Sequence, residues 1–230
     1  MHPPSRYGGS IQVAAPNRRK GIGMKTTFEL YGAQTGNCIR AAIALEEAGL
    51  SYMPKLVDLS SGEHQGFDHL ALNPLGKVPV LVEKQDGREP FILTQSNAII
   101  IYAAGKASGR LLPDNDRNRA IVLERFFFFV TDVIAVSHAA FSLRASDAQQ
   151  AQKILTDRML ATLETAETYV VHDEFIAGQT FSAADVAGFT ITRSVKSDLP
   201  WPKLPNLRRW FERIEARPAV NRGLQAFDQH

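Results

Sequence analysis

A chain of 230 residues, 44% hydrophobic and 22% charged, has ordinary globular composition and is long enough for one large domain or two small ones. One cysteine excludes an internal disulfide framework and a multi-cysteine metal site, and it fits a reducing, cytoplasmic compartment. The net charge of +2 gives no argument for a nucleic-acid partner, the six histidines lack metal-ligand spacing, and no apolar run is long enough to span a bilayer.

The first 24 residues are rich in Pro, Gly, Ser and Arg and contain no Asp or Glu. They read as a disordered extension over 1–24, although an acid-poor, Arg-containing start also has something of a transit peptide. No uninterrupted apolar run follows the positive charges, which argues against a secretory signal. "TTFELYG" then predicts a strand, with Phe28 and Leu30 alternating with polar neighbours. "CIRAAIALEEAGL" predicts a helix whose apolar face is Ile39, Ala42, Ile43 and Leu45, stopped at Gly49. "SYMPKLVDL" is a second strand, and "SSGEHQGFDHLALNPLG" reads as a polar loop. "KVPVLVEK" is a third strand, "DGR" a turn and "EPFIL" a fourth strand. "TQSNAIIIYAAGKASG" is a helix. The order βαβ, loop, ββα is that of an α/β layer with a parallel crossover first and a hairpin last.

From "LLPDNDRNRA" onward strand signals vanish. "DRNRAIVLERFFFFVTDVIAVSHAAF" predicts a long amphipathic helix, broken near His138, and "SDAQQAQKILTDRMLATLETAETYVV" predicts another. "FSAADVAG" opens a buried helix, and "LPNLRRWFERIEARPAV" is a surface helix stopped by Pro218. The expected organisation is an extension over 1–24, an α/β domain over 25–105, a linker over 106–115 and an all-α domain over 116–230.

Three segments carry candidate chemistry. In "NPLGKVPV" a proline interrupts an apolar strand, which places it at an edge or bulge. Val78, held extended before Pro79, offers its own N–H and C=O to a visiting peptide; a cis bond there turns that edge outward. In "TQSNAII" Gln95 and Ser96 stand at a helix start, where they either cap the helix or hold a carboxylate. Thr35 and Asn37 flank the start of the first helix, with the same two readings.

Taken in order, "FELYG…NCIRAAIALEEAGL", "GEH…LNPLGKVPVL", "LTQSNAIIIYAA" and "FSAADVAG" resemble the glutathione transferase family, from Phe28 to about Pro218. The resemblance implies an α/β thioredoxin-like N-terminal domain followed by an all-α helical C-terminal domain. It implies glutathione as co-substrate without a further cofactor or metal, a small electrophile or disulfide as second substrate, and a homodimer. By the same resemblance Val78 and Pro79 pair with the cysteinyl part of glutathione, Gln95 and Ser96 bind its γ-glutamyl end, and His64 and Lys77 its glycyl carboxylate. Family members often carry Glu where Gln95 stands. Ser182 and Asp185 fit the reciprocal helix cap of the second domain.

The Thr35-x-Asn37 pattern looks like the bacterial nu class, whose members also reduce disulfides, with theta- and phi-like features elsewhere. The resemblance makes Thr35 and Asn37 the catalytic pair. A free thiol has a pKa of about 8.5, and lowering it by about two units takes roughly 2.7 kcal/mol. One hydrogen bond to a charged acceptor contributes roughly 1.5–3 kcal/mol and a helix N-terminus roughly 0.3–1 kcal/mol, so neutral donors suffice. Cys38 lies one position past the cysteine of the beta class, and one helical step of about 100° turns it elsewhere. A second reading makes Cys38 a thiol-transferase nucleophile at a helix start, and a third makes the fold a non-catalytic interaction module. For the second substrate the "RFFFFVTDVIAVSHAAF" helix is the expected cleft wall, with Phe126, Phe129 and His138 facing the pocket.

Overall fold

The computed structural model describes residues 26–228, so the expected extension over 1–24 lies outside the described residues. Strand β1 (Thr26–Gly32) buries Phe28, Leu30 and Gly32 on one face. Helix α1 (Gly36–Ala48) follows. Thr35 is its N-cap, and Gly49, at φ 71°, closes it in the left-handed conformation that glycine reaches without steric cost. Strand β2 (Tyr52–Leu56), helix α2 (Phe67–Leu72), strands β3 (Val80–Gln85) and β4 (Phe91–Thr94) and helix α3 (Ser96–Lys106) complete this half. The sheet order is β2-β1-β3-β4. β2 is parallel to β1, and β3 and β4 are antiparallel additions. The expected crossover and hairpin are both present.

Among the described residues the regular elements of the second half are helices: α4 (Asp116–Phe127), α5 (Ala135–Ser142), α6 (Gln149–Glu164), α7 (Ala183–Ser194), α8 (Pro205–Glu215) and α9 (Pro218–Leu224). Helix α7 is its axis, buried from Ala183 to Thr192. Ser182 and Asp185 form the reciprocal capping box at its start. Asp185 also accepts from the Ile176 N–H at 2.9 Å and the Trp210 indole N–H at 2.8 Å, fastening α8 and the preceding loop to α7.

The two halves share one core. Helix α9 crosses α1 so closely that a Cβ on Gly223 would lie 2.8 Å from the Ile43 backbone. The Arg217 guanidinium grips the Glu47 carboxylate through two bonds of 2.6 and 2.7 Å.

Three sequence expectations are corrected. The loop after β2 contains α2, a short helix that buries only His69 and so shows no apolar period. The long helix is irregular not at His138, which sits inside α5, but over Phe128–Ile134, where it widens to π geometry. There the Thr131 hydroxyl donates back to the Phe127 carbonyl at 2.9 Å, competing with the helical ladder. The helix ending in "RWFERIE" is not merely superficial: Leu207, Trp210, Phe211 and Ile214 are buried at helical spacing. Pro218 both ends that run and opens α9 as its first residue, where a missing N–H costs nothing.

Candidate active site

The connection from β1 into α1 places Thr35 and Asn37, both half-buried, on the open side of the helix start. The Thr35 hydroxyl oxygen accepts from the Cys38 N–H at 3.4 Å and donates to the Cys38 sulfur at 3.1 Å. Cys38 itself is fully buried. Burial pushes its thiol up; the Thr35 bond, a backbone bond at Ala33 and the nearby Arg40 oppose this without overcoming it. A protonated sulfur with no exposure is a poor nucleophile, which removes the main support for a Cys38-based mechanism. Tyr31 donates to Glu29 at 3.0 Å on the sheet and takes no part.

The peptide-facing edge lies just before β3. The Val78–Pro79 bond is cis. Among the described residues the Val78 N–H and C=O take no partner, so the extended edge inferred from the proline is unpaired. The preceding loop is held from below: the Lys77 carbonyl accepts from Asn73 at 2.7 Å and stands 3.2 Å from the His69 Nε2, while the exposed Lys77 side chain makes no hydrogen bond or ion pair among the described residues. The 3-10 turn Glu63–Gln65 that carries His64 docks onto this loop through Gln65, which donates to the Gly76 carbonyl at 3.1 Å. The buried His64 Nδ1 has no hydrogen-bond partner among the described residues. An unsatisfied buried ring nitrogen is a feature that a ligand would relieve.

The third edge is the start of α3. Gln95 is exposed at φ 72°, ψ 112°, a conformation that side-chain-bearing residues rarely adopt. Such outliers persist where the surrounding structure imposes them and concentrate at ligand clamps. Ser96 follows, buried at the first helical position.

What joins the starts of α1 and α3 is Arg40, a residue that motif reading passed over. Arg40 as a whole is 2% exposed. Its Nη1 donates to the Asn37 Oδ1 at 2.9 Å and the Ser96 Oγ at 3.1 Å, and its Nε donates to the Thr190 Oγ1 of α7 at 2.9 Å. The available signal was an arginine set inside the apolar run "CIRAAIAL". Asn37 and Ser96 are thus brought to one nitrogen.

The expected cleft wall is partly corrected. Phe126 and Phe129, three residues apart, share the inward face and are buried in the core. The Phe129 ring lies parallel to that of Trp210, and a Cβ on Gly188 would lie 2.7 Å from it. Phe127 points outward, and Phe128 packs edge-on against Tyr169. His138 sits on α5, where partial desolvation lowers its pKa and the positive charges of Arg40 and Lys77 lower it further. A separate cleft of about 550 Å³, lined by Glu47, Arg110, Phe181 and Arg217, lies away from all these groups.

A mixed four-stranded sheet with a cis-proline edge beside two helix starts, joined to a helical bundle, defines a thioredoxin-like protein with a helical second domain. Residues 26–105 match the glutathione S-transferase N-terminal domain, and residues 128–218 match the glutathione S-transferase C-terminal domain. The chain belongs to the glutathione S-transferase family, enzymes that use glutathione as co-substrate. It is 29% identical over 207 residues to the disulfide-bond oxidoreductase YfcG of Escherichia coli K12, covering 86% of this chain and 94% of that one. It is 30% identical over 218 residues to glutathione S-transferase 3 of Zea mays, with the same shares of 86% and 94%. A glutathione transferase from Burkholderia graminis, solved with two glutathione molecules bound per subunit, superposes with a TM-score of 0.77 at 27% identity, covering 89% and 90% of the two chains.

Proposed function

We propose that the protein binds glutathione across the Val78–Pro79 edge and the starts of α1 and α3, and uses its thiolate to reduce a disulfide or attack an apolar electrophile. Thr35 and Asn37 hold the thiolate. Val78 pairs with the cysteinyl backbone, Gln95 and Ser96 take the γ-glutamyl end, and His64 and Lys77 take the glycyl carboxylate. The observation that carries this reading is the meeting of Asn37 and Ser96 at one guanidinium nitrogen, beside an unpaired Val78. A tripeptide with two carboxylates suits a site bordered by Lys77, the Arg40 cation and two helix N-termini.

Disulfide reduction proceeds in two exchanges. The bound thiolate attacks one sulfur of the substrate disulfide, forming a mixed disulfide and releasing one substrate thiol. A second glutathione thiolate then attacks the glutathione sulfur of that mixed disulfide, giving glutathione disulfide and the second substrate thiol. The likeness to a disulfide-bond oxidoreductase, and to a transferase holding two glutathiones per subunit, favours this outcome over conjugation. His138 borders the space for the second substrate.

The reading includes a cytoplasmic homodimer. Phe67 is 86% exposed and Leu75 65%, large apolar side chains on the α2 region that a second copy would cover. Light scattering of the wild type and Phe67→Ser checks this, with a dimer expected for the first and a weakened dimer for the second. For the activity, glutathione binding is measured by calorimetry, and disulfide reduction and conjugation are assayed in Thr35→Ala, Asn37→Ala and Cys38→Ser. Loss in the first two with retention in the third is expected. Loss in Cys38→Ser alone would overturn the assignment.

A further inference from the structure

Arg40 is a buried cation whose partners among the described residues are all neutral: the Asn37 carboxamide, the Ser96 hydroxyl and the Thr190 hydroxyl. Among the described residues no carboxylate pairs with it. Burial brings the guanidinium down to about 10, which leaves it charged at neutral pH. A buried charge without a counter-ion is costly, and neutral oxygens offset that cost only in part.

We infer that Arg40 is a positioning residue of the glutathione site, whose guanidinium fixes Asn37 as the donor to the tripeptide's sulfur and Ser96 as the donor to its γ-glutamyl carboxylate. This inference rests on the glutathione reading above. Hydrogen-bond polarity dictates these orientations. A guanidinium has five N–H donors and no acceptor, so every group facing it must present an oxygen lone pair. A carboxamide has one oxygen end and one nitrogen end. With the Asn37 Oδ1 held 2.9 Å from the Arg40 Nη1, the Nδ2 donors are the end left for a ligand. Released from Arg40, the carboxamide is free to flip, and its oxygen would then face the thiolate repulsively. Likewise the Ser96 oxygen accepts from the same nitrogen at 3.1 Å, so its proton must point away from Arg40 and is available to a carboxylate.

The far side of the guanidinium is itself oriented. The Thr190 hydroxyl is 3.1 Å from both the Val186 and Ala187 carbonyls, so it donates into α7 and turns a lone pair to the Arg40 Nε. One side chain thereby transmits the placement of α7 to both helix starts.

The test measures the pKa of the bound glutathione thiol, by ultraviolet thiolate absorbance against pH, together with glutathione KM and kcat. The proteins are the wild type, Arg40→Met, Arg40→Lys, Asn37→Ala and the Arg40→Met/Asn37→Ala double variant. Wild type should show a bound thiol well below the free one. Arg40→Met should raise it by about one pH unit, an approximately tenfold fall in the thiol's ionisation constant, and should raise KM for glutathione. The double variant should raise the thiol pKa no further than Asn37→Ala alone, because both changes remove the same donor. Arg40→Lys keeps the charge without the planar fork, should resemble Arg40→Met, and carries the test alone if the methionine variant does not fold. A wild-type thiol pKa in either Arg40 variant, or additive effects in the double variant, overturns the inference while leaving glutathione binding intact. A wild type that leaves the bound thiol unshifted removes both the glutathione reading and the role built on it.

Discussion

The Thr35 hydroxyl and the Cys38 sulfur lie 3.1 Å apart, yet Thr35 is half-buried at the open helix start and Cys38 is fully buried beneath it. A hydroxyl has one proton to donate. In the proposed complex that proton turns from the buried sulfur to the glutathione thiolate, by rotation about the Cβ–Oγ bond alone. Thr35→Ala is therefore expected to lower kcat/KM by roughly 10- to 150-fold, the rate equivalent of one charged hydrogen bond of roughly 1.5–3 kcal/mol. Cys38→Ala removes only the competing acceptor and should retain turnover. Alkylation of Cys38 in the native protein should stay slow at neutral pH, since burial raises its thiol. Steady-state kinetics and mass-spectrometric alkylation rates check these outcomes.

A second prediction concerns Asp185. Its carboxylate accepts from the Ser182 N–H and hydroxyl, both at 2.8 Å, besides Ile176 and Trp210. Asp185→Ala would leave four buried donors unmet at roughly 1–3 kcal/mol for each that finds no other partner, so a loss of at least about 3 kcal/mol is expected. Asp185→Asn keeps the volume but turns an N–H toward donors, and should lose a large part of that. Urea denaturation monitored by circular dichroism gives both values; an unchanged midpoint in Asp185→Ala would falsify the anchoring role.

The sheet, the two main helices of the first half and the buried α7 helix were legible because their signals are local. Alternation in β1, a left-handed glycine after α1 and a Ser-x-x-Asp cap each act within a few residues. Helix α2 was hidden because six residues burying one histidine produce no periodicity. The phase of the phenylalanine run was hidden for a different reason. Which rings turn inward depends on Gly188 and Trp210, far along the chain. The Val78–Pro79 edge could be read from a proline in a strand, whereas the Arg40 cluster could not: its Thr190 partner lies 150 residues away. Local chemistry marks the rim of the candidate site, and tertiary packing decides what holds the rim together.

On the sheet, Glu83 accepts from Tyr102 and from Lys106, the latter at 2.9 Å. Burial raises its pKa, but these two bonds and the Lys106 charge together outweigh burial and leave it below the usual carboxylate value of 4.5. The folded-state pKa is thus lower than the unfolded one, so this contribution is complete above the unfolded value and is lost as pH falls through the folded value. Thermal melting should decline as pH drops below about 4.5, in part through Glu83. Glu83→Gln should be less stable at neutral pH and show a shallower acid decline. Melting curves of both proteins from neutral to acidic pH decide it; parallel curves would remove Glu83 as a source.

Gln95 carries a conflict between stability and function. At φ 72° its side chain imposes backbone strain that glycine would not, and strain of this kind costs roughly 1–3 kcal/mol. Glycine gives back roughly 0.4–1 kcal/mol through the freer unfolded chain. Gln95→Gly should then stabilise the protein by about 1 kcal/mol while weakening glutathione binding, because the amide proposed to meet the γ-glutamyl end is gone. Gln95→Glu makes the opposite change. It retains the strain and replaces a neutral acceptor with a charged one facing the ligand's ammonium, and charge-assisted bonds are roughly twice as strong as neutral ones. Its glutathione KM should fall several-fold with little change in melting temperature. Calorimetric titration with glutathione, paired with denaturant melts of the same preparations, separates the two effects. If Gln95→Gly is destabilised and still binds normally, the strained backbone at the start of α3 serves packing alone, and the γ-glutamyl contact must be sought at another residue.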